Sequence, residues 1–216
     1  MTQPPANPKI YHITHVDNLP NIIAQGGLWS DREMIDQELD VNTVGLSDIK
    51  ERRLEELDVD CNPGTKVGDY VPFYLCPRSV MLSVFWYDNI PELTYHEGQE
   101  PIVHLQADMN KCVKWAKKND VMFAFSDMNA GMRAAEFFNK KSKLKRIDWD
   151  VVNGTDFSTR MKKHKKAAEF LIHEWFPWEL IDYVGVFDKN RRKLVKKAIK
   201  AAEHQPKIGV EPSWYF

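Results

Sequence analysis

The sequence predicts an α+β protein built on a mixed sheet, and three observations lead there. Apolar and polar residues alternate in several short runs, as half-buried strands require. Segments of helical period, some with capping residues, lie between them. The two kinds are interspersed without the regular strand–helix rhythm of a doubly wound parallel sheet. No G-x-G-x-x-G and no G-x-x-x-x-G-K-[ST] run occurs, so neither glycine-rich phosphate cradle is indicated.

Residues 1–9 read as an extended proline-rich lead-in, and Lys9 to Ile13 as a short strand. Asp17 is expected to cap a helix burying Leu19, Ile22 and Ile23, which Gly26-Gly27 ends because glycine takes the left-handed conformation cheaply. A short helix follows at about 47–57. Val71 to Cys76 and Met81 to Trp86 read as strands joined by the turn Pro77-Arg78-Ser79, and Ile102 to Ala107 as another strand. Asp108 caps a helix carrying Met109, Cys112, Val113 and Ala116 on its apolar side. Val121 to Phe125 is expected as a strand, and Asn129 to Asn139 as a helix. Glu169 to His173 and Ile181 to Phe187 read as strands, with one helical turn at Pro177-Trp178-Glu179-Leu180 between them. The helix from Lys189 to Glu203 places Leu194, Val195, Ala198, Ile199 and Ala202 on one side, and Lys207 to Glu211 forms an edge strand.

The chain has 216 residues and is 43% apolar, enough for a substantial core, so one domain over 1–216 is expected. No repeat or Gly/Ser linker divides it. The longest apolar stretch, Val80 to Tyr87, is too short to span a bilayer, and the first residues lack an apolar signal core. Cys61, Cys76 and Cys112 are odd in number and widely spaced, which fits reduced thiols in a cytoplasmic protein.

A formal charge of -1 hides a strong asymmetry. Residues 31–60 carry eleven Asp/Glu against four Lys/Arg, whereas 140–166 carry ten Lys/Arg against three Asp. A solvated lysine-rich surface accounts for the second segment. So does a phosphate-binding face, because phosphates respond to local potential rather than net charge. Trp149 and Phe157 lie in that segment and are candidates to stack on unpaired bases, or to anchor a loop.

Four clusters carry candidate chemistry. In Tyr11-His12-Ile13-Thr14-His15, alternation puts His12 and Thr14 on one face. The two histidines lack further ligands at recognisable spacing, so no metal is expected. Lys50-Glu51-Arg52-Arg53 offers guanidinium groups suited to pyrophosphate or carboxylate, beside the plainer reading of salt bridges along a helix. The aromatic run Tyr70 to Tyr74 reads as core, or as walls for a flat ligand. Glu169 opens the apolar run Glu169-Phe170-Leu171-Ile172, where a carboxylate needs hydrogen-bond partners or a cleft. There it could accept a ribose hydroxyl and favour an oxocarbenium-like centre.

These clusters, in this order, resemble the DarT-type DNA ADP-ribosyltransferases, the toxins of DarT–DarG toxin–antitoxin pairs. Tyr11-His12-Ile13-Thr14-His15 with Asn18-Leu19-Pro20 and Gly26-Gly27-Leu28 resembles the family's opening. Ile49-Lys50-Glu51-Arg52-Arg53, then Tyr70 to Tyr74 with Pro77-Arg78-Ser79 and Met81-Leu82, resembles its next two motifs, and Ala168-Glu169-Phe170-Leu171 its catalytic strand. The resemblance spans roughly residues 9–187. It implies an ADP-ribosyltransferase-like split mixed sheet with flanking helices, NAD as donor, no metal, and a base in single-stranded DNA, thymidine above all, as acceptor. It implies a macrodomain antitoxin of the DarG type as partner, and nothing demands more than a monomer.

By the same resemblance Glu169 and Arg53 are the catalytic candidates. His12, Ile13, Thr14, Asn21, Gly27, Leu28, Arg52, Arg53, Phe73 and Tyr74 are the candidates for NAD, with Arg53 on its phosphates or a nearby polar group. Arg78, Met81, Trp149, Arg160, Lys162 and Lys163 are those for nucleic acid. Two positions depart from the expected patterns. Ala167 stands where arginine-modifying transferases carry a second carboxylate or amide, which suits a base imide as acceptor. Val80 stands in place of an expected proline, which bears on turn geometry. RNA or protein as acceptor, and a non-catalytic single-strand-binding module, are the alternatives.

Overall fold

The computed structural model describes residues 3–39, 47–88, 90, 93–156 and 158–216. The chain runs β1 (Lys9–His15), α1 (Leu19–Ala24), β2 (Gly27–Trp29), α2 (Asp31–Asp36), α3 (Ser47–Glu55), β3 (Tyr70–Tyr74), α4 (Val80–Tyr87), β4 (Ile102–Asp108) and α5 (Met109–Lys118). It continues through β5 (Phe123–Asn129), β6 (Phe137–Phe138), α6 (Trp149–Asn153), α7 (Arg160–Lys166), β7 (Ala168–His173), β8 (Trp175–Pro177), β9 (Ile181–Val186), α8 (Lys189–Ile199) and β10 (Lys207–Val210). Eight strands form one sheet in the order β10-β9-β4-β1-β3-β7-β5-β6, antiparallel except for the parallel β9/β10 pair, so the sheet is mixed. β2 and β8 form a separate two-stranded sheet.

The position of the functional cleft follows from one weak joint in that sheet. β1 pairs with β4 over all seven residues, and β3 pairs with β7 over all five. β1 and β3, however, meet at the single pair Tyr11↔Tyr74. Beyond it the two halves part, and His12 spans the gap by donating from Nδ1 to the Pro72 carbonyl at 2.9 Å. The β2–β8 ribbon closes one side, held to β3 by Phe176 packed 4.5 Å from Phe73, ring centre to ring centre. Gly27 lies so close to β8 that a Cβ there would sit 2.1 Å from the Phe176 carbonyl oxygen. Only glycine allows this approach.

Several elements differ from the sequence expectation, each for a local reason. Val80–Tyr87 is a helix rather than a strand, because Ser79 accepts from the Leu82 amide as an N-cap and so starts a helix where a hairpin turn was expected. A run that is apolar apart from Ser83 has no period that separates the two states. Asn129 to Asn139 is not a helix. β5 runs on to Asn129, whose Oδ1 takes the Gly131 amide in a turn, and Phe137–Phe138 return as β6. Asp17 caps nothing; instead His15 Nδ1 accepts from the Asp17 amide. Leu194 points outward from α8, half exposed, while Val195 and Ile199 are buried. Asp108 caps α5 as expected, and all three cysteines are free thiols.

His104, at the centre of β4 and fully buried, joins three segments. One ring nitrogen lies 2.9 Å from the Pro77 carbonyl, the other 3.2 Å from the Tyr215 hydroxyl. Burial pushes its pKa down to about 4. An unfolded chain protonates this ring from its ordinary value near 6.5, while the folded chain does not until about 4. Stability is therefore lost as pH falls from about 6.5 to 4, by on the order of 3 kcal/mol from this group. Thermal midpoints recorded between pH 7 and 4 are expected to fall across that window, with a shallower slope in His104→Gln.

Candidate active site

Glu169 is 3% exposed at the second position of β7. A carboxylate there must be compensated, and three hydrogen bonds do so, while a fourth satisfies the residue's own main-chain amide. Arg53, from the last turn of α3, donates from Nη1 to Oε1 at 3.1 Å and from Nη2 to Oε2 at 2.9 Å. This bidentate fork matches the carboxylate plane. The Ala130 amide donates to Oε1 at 3.1 Å, and Glu169's own amide donates to Ser126 Oγ at 3.0 Å. The last two contacts arise from an irregular register. Phe125 opposes Phe170 and Asn129 opposes Ala168, so three residues of β5 face Glu169 alone. This bulge leaves the Glu169 amide without a ladder partner and brings the turn after β5 over the carboxylate.

Burial is the strongest single influence on Arg53 and lowers its pKa, but the charge and hydrogen bonds of Glu169, with Asp31 and Tyr74, together outweigh it and hold the guanidinium above its ordinary value. Tyr74, directly opposite Glu169 on β3, is pushed upward by burial and by that same carboxylate, so it is a neutral phenol. Burial lowers His12, which is therefore a neutral imidazole at pH 7 with Nδ1–H committed to Pro72. Thr14 Oγ1 accepts from Asn18 Nδ2 at 3.0 Å.

These groups line a cleft of about 240 Å³. The structure brings His12, Ile13, Thr14, Asn21, Gly27, Leu28, Phe73, Tyr74, Arg53, Glu169 and Met81 to its walls. It adds residues the sequence did not single out there, including Gln25, Trp29, Asp31, Met34 and Pro72, as well as Lys50, which lies 2.9 Å from Asp31. Period-two and period-3.6 patterns mark which face is buried but not which faces converge, so their grouping had no local signal.

The remaining candidates are placed as follows. Arg52 is not a cleft residue; its Nη2 donates to the Gly131 carbonyl at 3.0 Å. Of the two roles expected for Arg53, the structure places its fork on a nearby polar group, the Glu169 carboxylate. Trp149 cannot stack on a base, because it is 2% exposed, packed in the core with Leu144 and Ile147, and donates Nε1–H to the Leu144 carbonyl. Phe157 lies outside the described residues. Arg78 is half-buried, its guanidinium 4.3 Å above the Phe216 ring. Arg160, Lys162 and Lys163 lie on α7, immediately before β7; Arg160 and Lys163 are exposed, and Lys162 pairs with Asp156. The buried ammonium of Lys166 donates to the carbonyls of Val152 (3.0 Å) and Gly154 (2.7 Å), tying α6 to the end of α7. No group of three or more His, Cys, Asp or Glu among the described residues could hold a metal, and no helix among them is long and apolar enough to cross a membrane.

The proteins that this chain resembles are DNA ADP-ribosyl transferases. One from Thermus aquaticus is 34% identical, covering 98% of this chain and 90% of the relative. Another, from Thermus sp. strain 2.9, is 33% identical and covers 100% and 99%. The structure of Thermus sp. 2.9 DarT in complex with ADP-ribosylated ssDNA matches with a TM-score of 0.89 at 31% identity, over 100% of this chain and 99% of that one. Its complex with NAD+ matches with a TM-score of 0.85 at 30% identity, over 99% and 100%. Residues 11–216 match the family model described as ssDNA thymidine ADP-ribosyltransferase, DarT, and the chain belongs to that family.

Breaking the buried pair from one side should be costly. Arg53→Ala leaves the Glu169 carboxylate without its fork and is expected to lose about 3–5 kcal/mol in urea unfolding, part of which Glu169→Ala recovers in the double variant. Lys166→Met strands two carbonyls and should cost about 1–3 kcal/mol by the same measurement.

Proposed function

We propose that this protein transfers ADP-ribose from NAD to thymidine in single-stranded DNA and releases nicotinamide. The observation that carries this reading is the Glu169 carboxylate, buried at the cleft with Arg53 locked across it. The Thermus relative seen with NAD+ and with ADP-ribosylated ssDNA supports it.

In this reading NAD occupies the cleft between β1 and β3. His12, Ile13 and Thr14 form one wall, Phe73 and Tyr74 the other, and Asn21, Gly27 and Leu28 the end. Lys50, paired with Asp31, is the other cation on the walls besides Arg53 and is the group assigned to the diphosphate. Glu169 accepts a hydroxyl of the nicotinamide ribose. As the bond from C1″ to the nicotinamide nitrogen breaks, positive charge grows on the ribose, and a fixed carboxylate in a desolvated cleft stabilises it. Arg53 keeps that carboxylate oriented and charged. A thymine ring nitrogen then bonds to C1″ as its imide proton passes to the Glu169 carboxylate, the member of the pair that can accept one, since Arg53 is already protonated.

A single-stranded acceptor makes physical sense, because a duplex hides the reacting base edge. Met81 at the cleft, the nearby Arg78, and Arg160, Lys162 and Lys163 on α7 are the groups assigned to it. The acting unit is one copy of the chain as a single domain over 1–216, which the sheet running from β1 to β10 supports. A macrodomain antitoxin of the DarG type is its partner in this reading.

The test is intact mass of mixed-sequence single-stranded oligonucleotides after incubation with NAD and the purified protein. One added ADP-ribose is expected on thymidine-containing oligonucleotides, with a rate loss of about 10²-fold or more in Glu169→Ala. Full activity in that variant would overturn the assignment of Glu169. Nicotinamide release without DNA modification would point to another acceptor.

A further inference from the structure

Two adjacent arginines leave α3 about 100° apart, as successive helical residues must. Arg53 takes the carboxylate of Glu169. Arg52 takes the Gly131 carbonyl at 3.0 Å, on the turn whose Ala130 amide donates to that same carboxylate at 3.1 Å. On its strand side the turn is held where Asn129 Oδ1 accepts from the Gly131 amide at 2.7 Å and the Asn129 carbonyl accepts from the Met132 amide at 3.0 Å; just beyond it the exposed Arg133 pairs with Glu56, past the end of α3, at 2.8 Å. The two Asn129 contacts are local to β5 and turn with it. The contact from Arg52 comes from a different element and is charge-assisted, so it fixes where the turn stands relative to α3.

We propose that Arg52 is a positioning residue for Glu169, acting through the Gly131 carbonyl to hold the Ala130 amide on Oε1. One helix then governs both sides of the carboxylate: directly through Arg53, and by way of the 129–132 turn through Arg52. Arg52 touches neither the cleft nor Glu169 itself. The consequence for transfer rests on the function proposed above; the structural consequence does not.

The experiment uses the full chain with Arg52→Met, which removes the donor, and Arg52→Lys, which retains a cation able to reach a carbonyl. Amide hydrogen exchange by NMR reads Ala130 directly. Exchange there is expected to rise about tenfold or more in Arg52→Met and to return most of the way in Arg52→Lys, while the β7 amides keep their protection. In the transfer assay kcat should fall about tenfold with NAD affinity unchanged within about twofold, and Arg52→Lys should restore most of it. Unchanged exchange at Ala130 would overturn the proposal. So would a loss of NAD affinity in step with kcat, which would make Arg52 a donor ligand. If Arg52→Met fails to fold, Arg52→Gln, too short to bridge the same distance, is read for the same two signals. Absence of transfer in the unaltered protein would count against the proposed activity, whereas the exchange measurement would still decide the role of Arg52.

Discussion

The ion pair between Arg53 and Glu169 is the constraint around which the rest of the structure is arranged. Neither charge is tolerable in the interior alone, and each is paired within 3.1 Å. To bring them together the fold must place the end of α3 over the second residue of β7, 116 positions further along the chain. It must also bend β5 to supply a further amide. The surrounding titrations follow from the same pair. Tyr74, pushed up by burial and then by the carboxylate that faces it, stays a neutral phenol, and Arg53 stays cationic although it is buried.

The cleft exists because the sheet is continuous nearly everywhere except beside this pair. A full β1–β3 ladder would have closed the gap between those two strands. One residue pair keeps the halves in register, and the His12–Pro72 bond braces the opening beyond it. The apolar weight of the molecule lies behind the opening, with Phe73, Phe170 and Phe176 in the same core. The site is thus a local interruption of pairing set on a rigid base.

Much of this was legible in the sequence where the signal was local. Asp108 before an amphipathic run, Gly26 closing α1 with a φ of +72°, and the strands at β4 and β7 all appear as read. Helix and strand were confused where both patterns are satisfied. The run from Val80 to Tyr87 has no polar face, and Ser79 alone carries the information that it is helical. β2 and β8 were missed because three-residue strands carry too little alternation to be seen. Glu169, Arg53 and most cleft residues were legible through family resemblance rather than through pattern. Ser126 and Ala130 were not legible at all. Their contribution depends on a register slip and a main-chain amide, which side-chain identity does not encode.

The wall at Gly27 has a consequence of its own. β2 approaches β8 so closely at Gly27 that a Cβ would meet both the Phe176 carbonyl and the Trp175 indole. A contact of main chain on main chain does not depend on which side chains stand near it, so the residues around it are free to vary in size while the opening keeps its width. The freedom ends at Gly27 itself. There a single methyl group would move the whole ribbon, and the dimensions of the cleft with it.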